Sequence, residues 1–596
     1  MEVVETDVVV VGGGGAGLSA AIAAAELDPA PRILLVSKVL PMRSHTVAAE
    51  GGSAGVVLEQ DSLANHFDDT VSGGDWLCDQ DAVDFFVERC TEEMTRLEHW
   101  GCPWSRREDG TVNVRAFGGM KTERTWFAAD RTGFHILHTL FQTSLAHRGI
   151  ERLDEHFCVD LVVQDGRCHG VVVVDIAGGD VLFVQARAVV LATGGAGRVY
   201  RQNTNAGIVT GDGMGMAYRN GVALRDMEFV QWHPTTLPGT GILITEGCRG
   251  EGGLLYNAEG RRYLQDYGLG PPDPWPRKKA MELGPRDRLS QAFWHEERAG
   301  RTIETPGGQA VHLDLRHLGE ARLRERLPQI VELAHTFVGI DPVTAPIPVR
   351  PAVHYTMGGI LTDVRTATRL EGLYACGECA SVGIHGANRL GSNSLAELSV
   401  FGRVAGQEAA RHAGETGAAP ATALERARAI EAAALAPLSR RTGGERLADV
   451  REAMMDAMEE GVGIYRDGDG MREACDRLAA LHDRLDAVSL DDRSRAFNTE
   501  WLSLIELGFM IDVAEAMAHS ALAREESRGA HQRIDGFEAR DDERFLAHTL
   551  ARFRAGAAPE ISHEAVNITR SPPRDRVYGG AAAATKAATD EQAAKR

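Results

Sequence analysis

This sequence has little of what marks exported or disulfide-stapled proteins. Its 596 residues include only nine cysteines, and Cys376 and Cys379 form the one CxxC pair, so no second pair completes a four-cysteine zinc or cluster site. The first residues, MEVVETDVVVV, are acidic and contain neither a basic signal region nor a paired-arginine export signal. We therefore expect a cytoplasmic chain with free thiols, and we assign no metal ligands.

Long hydrophobic runs and excess positive charge are lacking as well. The longest apolar run, residues 8–25, just reaches the ~18 residues of a membrane helix and is interrupted by five glycines and a serine. The run fits a buried strand that leads into a helix better than it fits a membrane helix. The net charge of -21 argues against a nucleic-acid partner. We expect no direct membrane span, and an anionic substrate would need local arginines.

What the sequence does contain is typical of a multidomain globular protein, with 43% hydrophobic and 25% charged residues. Near the N-terminus we predict a strand at Val8–Val11, a turn at 12–17, a helix at 18–26 and a second strand at 33–36. Apolar strands that end in glycine turns recur at 187–195 and 371–378. The region between them, 234–352, interrupts the sheet.

The pattern changes to helix after about residue 415. Apolar residues recur at spacings of three and four in two segments, which predicts one apolar stripe on each helix, and a third helical stretch covers 498–528. We expect these stripes to form the core of a bundle; they are Leu447, Val450, Met454 and Met458, then Ala474, Leu478, Leu481 and Leu485. The low-complexity tail from residue 579 is expected to be mobile.

The N-terminal glycines predict a dinucleotide site. Gly12, Gly14 and Gly17 have the G-x-G-x-x-G spacing between a strand and a helix, whose N-terminus would face the phosphates. Where an NAD protein would have an acidic residue for the ribose, this chain has Ser37 and Lys38. That substitution disfavours NAD and favours FAD.

Four separated motifs combine into a resemblance. They are RSHTVAAEGG (43–52), EFVQWHPT (228–235), TEGCRGEGG (245–253) with GPRD (284–287), and HYTMGG (354–359) with HGANRLGSNSLAE (385–397). Together they resemble the flavoprotein subunit of the fumarate reductase and succinate dehydrogenase family, from about residue 8 to about 580. The segments SKVLPMRSHTVAAEGGSAGV and GGDWLCDQD are more similar to the fumarate reductase branch.

The resemblance implies an α/β fold with a Rossmann-like FAD-binding domain in two parts, 1–233 and 353–415. A capping domain, 234–352, would interrupt it, close over the flavin and exclude water. A helical bundle domain, 416–530, and a small C-terminal domain with a mobile tail, 531–596, would follow.

The resemblance also implies a covalent flavin. The family's histidine in the R-S-H-T motif is bonded to the 8α carbon of FAD, and His45 occupies the matching position. The alternative is a loop histidine that only satisfies nearby backbone. The full set of expected cofactor contacts is His45, Gly12, Gly14, Gly15, Ala16, Gly17, Ser37, Lys38, Ser44, Thr46, Glu50, Gly51, Gly52, Asp212, Glu378, Ser394 and Leu395.

The implied substrate is a four-carbon dicarboxylate. His354 and Arg389 match the family's ligands for one carboxylate, and His233 and Thr245 match those for the other. Arginine suits this role because its fork can meet a carboxylate bidentately. Taken singly, each histidine or arginine would more often be structural.

The resemblance also implies which three residues supply the proton that is added to the substrate. Arg286 matches the family's proton donor, and Glu246 and Arg249 match the relay that resupplies it, with His233 beside them. Hydride would pass from the flavin to one alkene carbon of fumarate while Arg286 protonates its neighbour, which gives succinate.

The predicted function is the catalytic flavoprotein subunit of a membrane-associated quinol:fumarate reductase. The alternatives are succinate dehydrogenase, which runs the reverse reaction, L-aspartate oxidase, and a flavin-binding scaffold without chemistry. Glu50 favours the reductase, because succinate dehydrogenases tend to have glutamine there. The implied partners are an iron-sulfur subunit and membrane anchor subunits with a quinone site, which would hold the chain at the cytoplasmic face of the inner membrane.

Overall fold

A five-stranded parallel sheet forms the centre of the N-terminal region in this computed structural model, which describes residues 1–270, 281–417, 419–439 and 443–576. The tail predicted to be mobile lies outside the described residues. Four of the strands are buried apolar runs, as expected for a sheet covered on both faces, and the edge strand Ile150–Asp154 is only partly buried. In spatial order they are Leu373–Ala375, Ala188–Leu191, Val8–Val11, Ile33–Ser37 and Ile150–Asp154.

The predicted strand, glycine turn, helix and strand are present, with one difference. The helix runs over Gly15–Ala25 and so begins three residues earlier than predicted. The turn is shorter because the Thr46 hydroxyl accepts a hydrogen bond from the Gly15 amide at 3.1 Å and allows the helix to start there. This helix packs on the long helix Asn393–Glu415, which returns from the far end of the FAD-binding segments. The predicted α/β class is confirmed.

Three more sheets and several helices surround this centre. One contains Glu2–Glu5, Val181–Gln185, Arg167–Asp175 and His156–Gln164; another contains Ala380–Ser381, Gly359–Leu361, Leu224–Arg225, Ala547–Arg552 and Glu560–Ala565; a small one contains Ser53–Ala54, Thr125–Trp126 and Val114–Arg115. The helices on this part of the chain are Leu63–Gly73, Gln80–His99, Thr132–Ala146 and Asp212–Arg219.

The inserted region has its own sheet and its own hydrophobic core. The sheet begins and ends with the long paired strands Val230–Thr236 and Ile347–Thr356, which connect it to the FAD-binding segments. Its other strands are Gly308–Asp314, Leu254–Tyr256 and Ile303–Thr305, and its helices are Glu246–Gly250, Arg286–Arg298, Glu320–Arg326 and Pro328–Val338. His233 and His354 lie on these two paired strands, so the junction brings both histidines together.

The helical region packs against the four-stranded sheet. Its helices are Ala421–Leu435, Leu447–Gly461, Gly468–Asp486 and Thr499–Ala523, so the last one ends five residues before the predicted limit. The two predicted stripes face the core, with Leu447 and Leu485 only partly buried at its edge. The short strand Tyr465–Arg466, between the second and third of these helices, pairs with Gln532–Arg533 after the last helix, and the short helix Asp542–Phe545 follows. Across the described residues, no helix combines the length and apolar character needed to span a bilayer.

Candidate active site

The glycine turn brings the first strand and its helix unusually close together. Gly12 has a φ of 116°, and a Cβ there would lie 2.2 Å from the Ala192 carbonyl oxygen. A Cβ on Gly17 would lie 1.8 Å from the Gly12 carbonyl oxygen. By contrast, the nearest atom to a Cβ on Gly14 would be 3.5 Å away. The outer two glycines therefore allow close packing, and the middle one leaves space for a ligand.

This turn opens onto one large cavity of about 410 Å³, which lies where the parallel strands end. Ligand sites in open α/β sheets form at such carboxyl ends. Of the predicted cofactor contacts, fourteen line the large cavity: Gly12, Gly14, Gly15, Ala16, Ser37, Lys38, Ser44, His45, Thr46, Glu50, Asp212, Glu378, Ser394 and Leu395.

The other three predicted cofactor contacts lie behind the cavity wall. Gly17 is covered by the first glycine of the turn. Gly51 lies against the ring of Phe117, and Gly52, with a φ of 141°, lies against the backbone of Trp126. These glycines shape the wall through backbone packing.

The predicted flavin-linking histidine borders the large cavity on the short 3-10 helix His45–Ala48. Its Nδ1 accepts a hydrogen bond from the Ala206 amide at 3.3 Å. Burial lowers the pKa of His45 to about 4, so its imidazole is neutral at pH 7. The remaining ring nitrogen, Nε2, is therefore the one available to a ligand.

Lys38 and Asp212 contact each other as well as the large cavity. The Lys38 Nζ donates to Asp212 at 2.7 Å, to Thr210 at 2.9 Å and to Glu506 at 2.7 Å. Burial lowers the pKa of Lys38, but Asp212 and Glu506 outweigh it and raise the value overall. Glu506 comes from the helical region, so that region contributes to this end of the cavity.

Glu50 links the flavin loop to the catalytic candidates. It is buried and lines the cavity, and its Oε2 has no hydrogen-bond partner. Burial raises the pKa of Glu50 well above its usual value, and the nearby Asp130 raises it further. The neighbouring Arg115 donates to backbone carbonyls of this loop.

At the other end of the cavity, two arginines share one amide oxygen. Gln231 Oε1 accepts from Arg286 Nη1 at 3.1 Å and from Arg389 Nη2 at 3.1 Å. The Gln231 amide nitrogen is fixed by Asn388 at 2.9 Å and by the Arg389 carbonyl at 2.8 Å. We refer to Arg286, Arg389, Gln231, Glu246 and Arg249 as the arginine cluster.

Within the arginine cluster, Glu246 lies between Arg286 and Arg249. Its Oε2 accepts from Arg286 Nε at 2.9 Å and lies 3.8 Å from Arg249 Nη2, while its Oε1 accepts from the Gly118 amide at 2.5 Å. Burial raises the pKa of Glu246, but Arg286 and Arg249 outweigh it and lower the value overall. A charged carboxylate therefore connects the two guanidinium groups.

The two predicted substrate histidines lie side by side, with ring centroids 5.1 Å apart. His354 borders the cavity and its Nδ1 is 2.8 Å from the Thr204 hydroxyl; His233 is buried, with Nδ1 3.1 Å from the Thr235 carbonyl. Burial and the neighbouring arginine charges lower the pKa of both far below the usual value, so both rings are neutral. Thr245 is buried at the N-terminus of the helix Glu246–Gly250.

Sequence reasoning missed three residues that organise this site. Gln231 stands inside the quoted EFVQWHPT motif, two residues before His233, and so could have been found from its position. Tyr355, next to His354, lines the cavity, and its ring lies under Arg389. Glu506 had no signal, because it lies on a helix far along the chain from its partner Lys38.

The large cavity fits FAD in its donor chemistry. The N-terminus of an eleven-residue helix opens onto it beside Gly14, and the buried Ser44 hydroxyl, also on its wall, has no hydrogen-bond partner. Burial raises the pKa of Glu378 to about 7, so this carboxyl can donate as well as accept hydrogen bonds. Phosphate acceptors and ribityl hydroxyls match these groups.

Comparisons with known proteins agree with this geometry. Residues 7–395 match the family described as FAD binding domain, and residues 451–578 match the one described as fumarate reductase flavoprotein C-term. The fumarate reductase flavoprotein subunit of Proteus vulgaris is 62% identical over 100% of both chains. The succinate dehydrogenase flavoprotein subunit of Rickettsia felis is 40% identical over 96% of this chain and 98% of its own length.

Among solved structures, a variant of the subunit FrdA of E. coli quinol fumarate reductase is similar, with a TM-score of 0.95 and 61% identity. The similarity covers 97% of this chain and 100% of that one. Both family matches and the full-length identity lead to the same assignment, and the chain belongs to the family of fumarate reductase flavoprotein subunits.

Proposed function

We propose that this chain is the flavoprotein catalytic subunit of a membrane-associated quinol:fumarate reductase and that it reduces fumarate to succinate. One observation carries the proposal: Arg389 and His354 line the large cavity, and Arg286 is bonded to the same Gln231 oxygen as Arg389. Arg286 is paired with the Glu246 carboxylate, whereas Arg389, within the described part of the chain, is bonded only to neutral groups, so net positive charge remains beside the cavity. A dianionic substrate supplies the charge that this end of the cavity lacks.

His354 and Arg389 bind one carboxylate of the substrate, and His233 and Thr245 bind the other. The histidines serve as neutral hydrogen-bond donors, since burial keeps their pKa values low. The polar groups hold the dicarboxylate across the end of the cavity, and the inserted region contributes apolar side chains to the cavity lining, including Leu243 and Leu333. Apolar lining of this kind favours the exclusion of water from the reacting carbons.

Arg286 delivers the proton to the substrate carbon. A guanidinium rarely loses a proton, so the transfer needs immediate replacement. Glu246 is 2.9 Å from Arg286 Nε and passes on a proton from Arg249. Burial and the charge of Arg286 keep the pKa of Arg249 below its ordinary value, despite the nearby Glu246, which favours this donation.

FAD, when bound, supplies the electron pair that is added to fumarate as hydride. Gly14, Ser44 and the helix beginning at Gly15 hold its pyrophosphate, and Glu378 holds its ribityl chain. We propose a covalent bond from His45 Nε2 to the 8α carbon of FAD, because Nδ1 already accepts from Ala206. The neutral imidazole makes Nε2 nucleophilic. The bond would replace one C–H bond of the 8α methyl group, and the oxidised flavin would itself take up the two electrons and two protons released.

The covalent bond is tested by denaturing the purified protein in acid. Yellow colour and flavin fluorescence should stay with the polypeptide, and release of all flavin into the supernatant would contradict the assignment. His45→Ser should still bind FAD through the glycine turn, but as a dissociable cofactor. His156→Ser is a matched control, because this histidine borders the same cavity away from the flavin-linking loop.

The proposed partners follow from the need to supply electrons to the flavin. Electrons must reach the flavin, and we propose an iron-sulfur subunit and membrane anchor subunits with a quinone site, which place the chain at the cytoplasmic face of the membrane. The structural similarity to the E. coli quinol fumarate reductase subunit supports this assembly. Co-purification of a tagged chain with both kinds of subunit tests it, and recovery of the chain alone from solubilised membranes would contradict it.

The second candidate function is succinate oxidation, since succinate dehydrogenase flavoproteins are also relatives, at lower identity. Glu50 favours the reductase. Assay of the native complex for quinol-driven fumarate reduction and for succinate oxidation decides between the directions. A complex that reduces fumarate more slowly than it oxidises succinate would favour the dehydrogenase, and activity with L-aspartate alone would overturn both.

A further inference from the structure

The two active-site arginines differ in how their charge is balanced. Arg286 is bonded directly to the Glu246 carboxylate. Arg389, in contrast, donates to Gln231 and to the Ser394 hydroxyl, and within the described part of the chain it has no carboxylate in contact. Burial and the adjacent Arg286 together lower the pKa of Arg389 to about 10. A cation in this position needs another source of stabilisation.

An aromatic ring supplies part of it. The guanidinium carbon of Arg389 lies 4.2 Å from the centroid of the Tyr355 ring. The Tyr355 hydroxyl donates to Glu397 Oε2 at 2.6 Å. His385 Nε2 is 2.8 Å from the same carboxylate oxygen and 3.2 Å from the hydroxyl. Tyr355, His385 and Glu397 are all buried.

The order of these groups is guanidinium, ring, hydroxyl and carboxylate. An aromatic face attracts a cation through its quadrupole, and the attraction grows when the site excludes water. A hydroxyl that donates to a carboxylate pushes electron density into its ring, which makes the face more negative. The Tyr355 proton stays in place, because burial and the charges of Glu397 and Glu378 raise the pKa of Tyr355 well above its usual value.

A carboxylate bonded directly to Arg389 would occupy the N–H groups that a substrate needs. Glu397 avoids this competition because it is bonded to the Tyr355 hydroxyl and not to the guanidinium. His385 fixes the carboxylate from the other side, and its ring meets the Tyr355 ring edge-on, with centroids 5.3 Å apart. Charge compensation and substrate access are thus separated in space.

We propose that Tyr355 and Glu397, held by His385, are positioning residues that keep Arg389 charged and oriented for a substrate carboxylate. The inference rests on the proposed dicarboxylate site. Neither residue needs to touch the substrate, and both act through Arg389.

The test measures affinity in the oxidised complex. Malonate, a dicarboxylate that cannot be reduced, is titrated against the flavin absorbance of the parent, Tyr355→Phe, Glu397→Gln and the double variant. Each single variant should bind malonate with a Kd about three- to tenfold higher than that of the parent. The double variant should bind malonate no more weakly than the single variant with the lower affinity, because both changes interrupt the same path.

Tyr200→Phe is the matched control. Tyr200 is also buried, and its hydroxyl donates to the Val462 carbonyl at 3.0 Å, away from Arg389. Its Kd for malonate should equal that of the parent. Tyr355→Phe decides the question by itself if the Glu397 variant does not fold.

Two results would overturn the inference. One is an unchanged Kd in Tyr355→Phe while the parent binds malonate, which would leave the proposed function standing. The other is fully additive weakening in the double variant, which would mean that Tyr355 and Glu397 act separately. A parent that fails to bind malonate would overturn this inference and the proposed substrate together.

Discussion

The large cavity is lined mainly by strand ends and small residues, whereas the arginine cluster beside it consists of long side chains from separate segments. In the cavity wall, Gly12 and Gly14 present backbone and empty space to the ligand. In the cluster, the contacts are side-chain hydrogen bonds between residues 40 and 158 positions apart. Backbone shape therefore determines which cofactor fits, and side-chain charge determines which reaction follows.

This difference has consequences for mutation. A substitution in the arginine cluster removes charge while the cavity keeps its form, so flavin should remain and turnover or substrate binding should fall. A substitution in the glycine turn changes packing or cofactor space while the cluster keeps its charges. The following predictions compare the two regions.

The largest effect is expected for Arg286→Gln. Removing the proton donor should lower kcat by roughly 10²- to 10⁴-fold, because the loss falls on the transition state. Malonate affinity and flavin content should change little. Arg288→Gln, at an exposed position on the same helix, is the control for steady-state assays. Near-normal turnover in the Arg286 variant would mean that another group is the donor, with His233 next to be tested.

Arg389→Gln should weaken malonate binding as well as turnover. Loss of a charge-assisted contact to a carboxylate costs about 1.5–3 kcal/mol, which corresponds to a roughly ten- to hundredfold weaker Kd. Arg365→Gln serves as a control, since Arg365 is exposed and pairs with Glu408 outside the site. A variant that lost only kcat, with unchanged Kd, would assign Arg389 to the transition state instead.

The glycine turn should respond differently at Gly17 and at Gly14. Gly17→Ala should destabilise the protein by about 1–3 kcal/mol, because the added methyl group collides with the Gly12 carbonyl. Gly14→Ala should leave thermal stability of the flavin-free protein nearly unchanged and reduce flavin incorporation. Thermal unfolding and flavin per chain are measured for both. Equal losses of stability would contradict the separation of packing from ligand space.

Glu50→Gln should have the smallest effect, at the boundary between the two regions. Glutamine is nearly isosteric but cannot exchange a proton, and the buried Glu50 carboxyl holds its proton to unusually high pH. We expect quinol-driven fumarate reduction to fall by less than about tenfold. Succinate oxidation should fall by a smaller factor. An unchanged ratio of the two activities, with matched flavin content, would remove Glu50 from the choice of direction.

Much of the cavity could be predicted from the sequence because its determinants are local. The strand Val8–Val11, the glycines after it and the helix are consecutive, and their types alone predict close packing and phosphate binding. Only the helix start was misplaced, since Thr46, which accepts from the Gly15 amide, lies 31 residues away. The catalytic residues were found through motifs in the resemblance, which named His233 and Arg389 without their contacts.

The sequence by itself determined the α/β class, the dinucleotide turn and the residue types of the active site. Only the tertiary structure decided that Gln231 joins Arg286 to Arg389, that Glu397 is bonded to Tyr355, and that Glu506 reaches Lys38 across 468 residues of chain. Backbone conformation depends on neighbours in sequence, so short patterns predict it. Buried charges instead require partners within hydrogen-bond distance, and the path of the whole chain determines which side chains meet.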